Sequence, residues 1–100
     1  MKAIWNNQIL AEADKDELIF IEGNWYFPID SVRMDLLTES DTQYTCPWKG
    51  ECKYYDVHVG DSVNKDAVFQ YPQPLPSAIE RVKKDFSNHC AFWNGVVVSK

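Results

Sequence analysis

The stretch YTCPWKGECKYYDVHV, residues 44–59, decides the fold. It carries a Cys-Pro pair, a Lys49-Gly50 turn and then a run that alternates. Cys52, Tyr54, Asp56 and His58 would lie on one face of a strand, and Lys53, Tyr55, Val57 and Val59 on the other. The second set is the more apolar and is expected to face a core. A tight turn that feeds an aromatic, alternating strand predicts antiparallel β-structure.

The flanking segments extend that pattern. Downstream, GDSVNKD (60–66) reads as a turn and AVFQY (67–71) as a short strand. Upstream, IDSVRMDLL (29–37) reads as one capped turn at Asp30 or Ser31. A strand ending near Leu37 follows it, and TESD (38–41) reads as a loop. Two hairpins precede it. One turns at Asn6-Asn7, because Asn tolerates the positive φ of a two-residue turn; the other turns at Glu22-Gly23-Asn24, and Pro28 ends its second strand.

Past residue 71 the character changes. Pro72, Pro74 and Pro76 stiffen an extended linker. Ile79, Val82 and Phe86 then share one face of a short helix over 77–86, whose basic residues fall late, where they suit a helix C-terminus. The final HCAFWNGVVVSK (89–100) reads as a hairpin turning at Asn94-Gly95. AIWNNQIL and AFWNGVVV align at an offset of 88 residues, which suggests equivalent hairpins and neighbouring termini.

Composition agrees with this reading. One hundred residues make one domain, 1–100. Aromatics at 14% favour strands. The expected fold is mainly β: a strongly bent antiparallel sheet, barrel- or tent-like, with one short helix near the C-terminus.

A net charge of −5, with scattered basic residues, argues against nucleic acid and against an anionic membrane surface as partners. No apolar run approaches the roughly 20 residues that span a bilayer. MKAIWNNQ shows no signal-peptide core, and three cysteines are an odd number, so reduced thiols in the cytoplasm are expected.

Several blocks resemble a known family. EGNWYFPIDSVRMDLLTESDTQYTCPWKGECKYYDVHV, then DAVFQYPQPLPSA and CAFWNGVVV, are similar to the family numbered 427 in the domain-of-unknown-function series. That family shows a Tyr-Phe-Pro block, a Cys-Pro-x-Lys-Gly turn, a Tyr-Tyr strand, a Trp-x-Tyr-Pro-x-Pro segment and a final aromatic hairpin, in this order. The resemblance covers nearly the whole chain. It implies a compact mostly-β domain, and members are sometimes labelled nucleotidyltransferases. Phe69 stands where the family usually has Trp, and Cys52 where it has a small residue.

Cys46, Cys52, His58, His89 and Cys90 are enough soft ligands for tetrahedral zinc, but Cys-x5-Cys is not a zinc-knuckle spacing and Cys52 departs from the family pattern. No metal and no cofactor is expected. Cys46, near Lys49, is the candidate nucleophile if there is one, with His58 or His89 as base; the plainer reading is a small buried apolar residue at a strand end. Nucleotidyl transfer would need clustered carboxylates or a Gly-rich phosphate loop, and each of the four glycines is explained by a turn.

The leading expectation is a small planar or anionic ligand in a cleft beside Thr45-Cys46-Pro47-Trp48-Lys49-Gly50. Its candidate contacts are Tyr26, Arg33, Thr45, Cys46, Trp48, Lys49, Tyr54 and Tyr71, aromatic walls with cationic heads. Two alternatives stay open: an enzyme using Cys46 or the Tyr/Arg/Lys groups, and an interaction module, including a homodimer.

Overall fold

Turn chemistry lays down the first two hairpins. β1 (Lys2–Trp5) and β2 (Gln8–Glu12) join through Asn6-Asn7, both at positive φ, 52° and 62°. β3 (Ile19–Ile21) and β4 (Asn24–Tyr26) join through Glu22-Gly23, at φ 51° and 85°. These turns match the right-handed twist of the strands they connect. The computed structural model describes residues 1–100, and none of its helices is long and apolar enough to cross a membrane.

Three longer strands follow: β5 (Leu37–Cys46), β6 (Gly50–Val59) and β7 (Ser62–Gln70). With β8 (Cys90–Phe92) they form an antiparallel sheet in the order β5-β6-β7-β8. Helix α1 (Pro76–Val82) lies between β7 and β8 in the chain. β9 (Val97–Ser99) leaves that sheet and pairs with β1, giving the order β2-β1-β9. Lys2 lies opposite Ser99, so the termini are neighbours.

The β3–β4 hairpin is tied to β8 through Phe27 and Cys90, which exchange two backbone hydrogen bonds of 2.8 Å. The fold is a strongly bent set of antiparallel sheets that does not close into a barrel.

The main sheet is covered on both faces. Tyr55, Val57, Val68 and Phe92 face a first core with Ala3, Leu10 and Phe27. Cys52, Phe69 and Ala91 face a second core with Tyr26, Tyr71, Ala78 and Phe86. Strand alternation explains how Tyr26 and Phe27, adjacent in sequence, enter different cores. Each large side chain so buried contributes about 1.5–3 kcal/mol.

Five local expectations need correction. Residues 38–41 are not a loop but belong to β5, interrupted by an irregularity between Glu39 and Gln43. β5 is an edge strand, exposed at most positions, so it lacks the apolar alternation that announces a strand. The segment before it forms two 3-10 turns, Ile29–Ser31 and Met34–Leu36, rather than a strand.

Residues 62–66 likewise extend β7, so the turn between β6 and β7 is confined to Gly60-Asp61. The helix stops at Val82 because Lys83 adopts a left-handed conformation (φ 69°), and Phe86 reaches the core from the turn beyond it. The last segment turns at Asn94-Gly95 as expected (φ 51° and 93°), but β8 and β9 do not pair with each other. The Trp93 amide is instead donated to the Ala67 carbonyl, which keeps the chain on β7 before it diverges.

Candidate functional site

The turn between β5 and β6 is Pro47-Trp48-Lys49, closed by the pairing of Cys46 with Gly50. Gly50 sits at φ 111°, and a Cβ there would meet the Gln73 carbonyl at 3.4 Å and Leu75 at 3.6 Å. The Leu75 amide donates to the Lys49 carbonyl at 3.0 Å. The proline-rich segment is therefore laid directly against the turn, and α1 follows it over the second core.

Lys49 is the unusual residue of this turn. It is only 7% exposed, although lysine is almost never buried unpaired. Its Nζ donates to Glu22 Oε1 at 2.8 Å, and it lies 5.3 Å from the Trp48 ring centroid and 5.0 Å from that of Tyr71. The aromatic faces and one carboxylate offset the cost of desolvating the ammonium. The Arg81 guanidinium, from the last turn of α1, sits 4.5 Å over the Trp48 ring. Its positive field also reaches Glu22.

The Lys49 hydrogen bond, above all, holds the Glu22 carboxyl below its usual range. Glu22 itself is more than half exposed, at the tip of the β3–β4 hairpin.

Beneath the turn lies a group of thiols and phenols. Cys46 and Cys52 are both buried, and Tyr26 and Tyr71 pack with them in the second core. Tyr26 is fully buried and its hydroxyl has no hydrogen-bond partner. Burial raises the pKa values of Tyr26 and Tyr71 and pushes Tyr54 up to about 12. Burial also raises the Cys52 thiol, against the pull of the Tyr71 and Tyr54 hydroxyls. At neutral pH these four groups are neutral, able to donate hydrogen bonds but not to act as anionic nucleophiles.

An open, mostly polar trough of about 1100 Å3 flanks the turn. Thr45, Cys46, Gly50, Cys52, Gln73 and Asn88 are among its lining residues, whereas Trp48, Lys49 and Tyr71 are not.

The structure gathers most of the candidate residues. Trp48, Lys49 and Tyr71 form the cation–aromatic cluster; Cys46 and Tyr26 lie in the core below it, and Thr45 lines the trough. Tyr54 touches this group through Cys52 but otherwise stacks on Trp93, with centroids 6.3 Å apart. Arg33 is not brought in. Its guanidinium is exposed and paired with Asp35 at 2.8 Å, and its amide donates to Leu10, beside the first hairpin.

Cys46 has no imidazole set against it as a base. His58 Nε2 is 2.7 Å from the Thr38 hydroxyl, toward the other end of β5 and β6, and His89 Nδ1 is 3.2 Å from the Ser87 carbonyl. Cys90 belongs to the first core, where its sulfur accepts from the Gln70 amide, so the soft ligands do not converge.

Two members of the cluster were missed from sequence. Glu22 lies 27 residues from Lys49, and only its position at a positive-φ turn, where Asn or Gly is usual, marks it. Arg81 is marked in the sequence only as one of the basic residues late in the predicted helix.

A family model named NTP_transf_9 and described as "Domain of unknown function (DUF427)" matches residues 1–99. No curated protein matches the chain.

Proposed function

The chain belongs to the DUF427 family, and we propose that it serves as a binding domain for a small planar or anionic ligand in the cleft beside Thr45-Cys46-Pro47-Trp48-Lys49-Gly50. One observation carries this reading. A buried ammonium is held between two aromatic rings, with a second cation stacked on one of them, in a protein of net charge −5. Local positive charge on an acidic chain concentrates anions where it stands. The aromatic rings add a flat apolar surface. The turn is well braced: the Leu75 amide bonds the Lys49 carbonyl, and the proline-rich segment lies against Gly50. A braced site loses little entropy when a ligand binds.

A thermal-shift screen of aromatic carboxylates, nucleotides and sugars tests the reading. At a ligand concentration 100 times Kd, a specific binder stabilises the native state by about 2.7 kcal/mol. For a domain of this size that corresponds to a rise in Tm of roughly 10 °C or more. The anionic members should produce the shift, and Trp48→Phe should reduce it. A screen in which anionic compounds do no better than neutral ones would sink the proposal.

A further inference from the structure

Within that cluster, Glu22 stands in an unusual relation to Lys49. The Lys49 side chain is 9% exposed, yet the carboxylate that pairs with it is 56% exposed. The ammonium is walled by Trp48 and Tyr71. Glu22 is therefore its partner on the solvent side. It reaches in from the tip of a two-residue turn that belongs to a different hairpin. Lys49 is the cation that Glu22 pairs with, and Arg81 is stacked on the neighbouring Trp48 ring.

From this arrangement we infer that Glu22 is an internal stand-in for the ligand, and that the ligand is a small carboxylate that displaces it from Lys49. The inference rests on the binding reading above and names its ligand class. The exchange is like for like. The incoming carboxylate accepts the Lys49 hydrogen bond that Glu22 gives up, and Glu22 swings into water, where a half-exposed carboxylate loses little. Arg81 stays stacked on Trp48 and attracts the incoming anion. Because Glu22 competes within the same molecule, the wild-type protein binds carboxylates more weakly than its geometry alone would allow.

Benzoate is the probe. Wild type, Glu22→Gln and Glu22→Ala are titrated with it, following tryptophan fluorescence and Tm. Both variants should bind benzoate more tightly than wild type, Glu22→Ala by about tenfold or more, the scale of one charge-assisted hydrogen bond freed from competition. Phenyl phosphate should gain less than benzoate. Equal benzoate affinity in wild type and both variants overturns the exchange while leaving the binding site standing. Absence of any benzoate binding in all three overturns the carboxylate inference, and the binding reading is then decided by the nucleotides and sugars of the thermal-shift screen. If Glu22→Ala does not fold, Glu22→Gln, which keeps the size of the side chain without its charge, decides the question alone.

Discussion

Gly50→Ala measures how much of the site's architecture depends on one backbone conformation. Gly50 has φ 111°, a region that L-residues rarely enter, whereas an added Cβ would only rest in ordinary contact with the Gln73 carbonyl at 3.4 Å. Gly60 supplies the control. It is also at positive φ, 57°, but in the ordinary left-handed region and with nothing within 4 Å of the added Cβ. At Gly60 an alanine costs only the left-handed penalty, about 1 kcal/mol. At Gly50 the φ lies outside the ordinary left-handed region, and the strain alone is placed at about 3 kcal/mol, the top of the range for a side chain held there.

A domain of this size holds about 5–15 kcal/mol in all, so both variants should fold. Urea denaturation read by tryptophan fluorescence gives the two free energies. The fall in Tm should be roughly 4–8 °C for Gly60→Ala and more than 10 °C for Gly50→Ala. Gly50→Ala should also weaken ligand binding, because relaxing the strained backbone at residue 50 shifts the adjoining Lys49 carbonyl that accepts from Leu75. Equal losses at the two glycines would refute the claim that the turn depends on the backbone conformation of Gly50.

Three further outcomes are expected. The Glu22 carboxyl is held below the ordinary carboxyl range by its hydrogen bond from Lys49, so its contribution to stability is present above that range and is lost as pH falls through the lower folded value. Tm measured from pH 7 down to pH 3 should therefore fall less in Glu22→Gln than in wild type, and parallel curves would contradict the pairing. Burial pushes the Cys90 thiol up to about 11 and raises Cys52, so iodoacetamide at pH 8 should label both slowly until urea unfolds the chain; mass spectrometry of the alkylated peptides reads the order. Tyr26→Phe removes a buried hydroxyl that has no partner and should raise stability by about 1 kcal/mol. A loss of that size in chemical denaturation would mean that the hydroxyl is satisfied in solution.

Much of the fold was legible where local chemistry speaks. Asn6-Asn7 and Glu22-Gly23 mark hairpins because few residues accept positive φ. β6 alternates because it is covered on both faces, with Tyr55 and Val57 in one core and Cys52 in the other. β5 was legible only in part. As an exposed edge strand it is built from Thr, Glu, Ser and Asp, which also suit loops. The terminal segment was misread for another reason. Asn94-Gly95 turns as its chemistry demands, but a turn sets the direction of a chain and not its partner, and β8 and β9 find partners in different sheets.

The site divides along the same line. By itself the sequence determined the turn at 46–50, the strand it feeds and the residues close to it in the chain, because those follow from φ preferences and alternation. Only the tertiary structure decided that Glu22 and Arg81 join Lys49 and Trp48, and that Arg33 stays with Asp35 at the first hairpin. Those placements depend on how the β3–β4 hairpin and α1 pack over the second core. Packing of that kind is set by the summed burial of many apolar side chains from distant parts of the chain. No local window of sequence contains it, so an ion pair that spans 27 residues becomes visible only once the sheets are folded together.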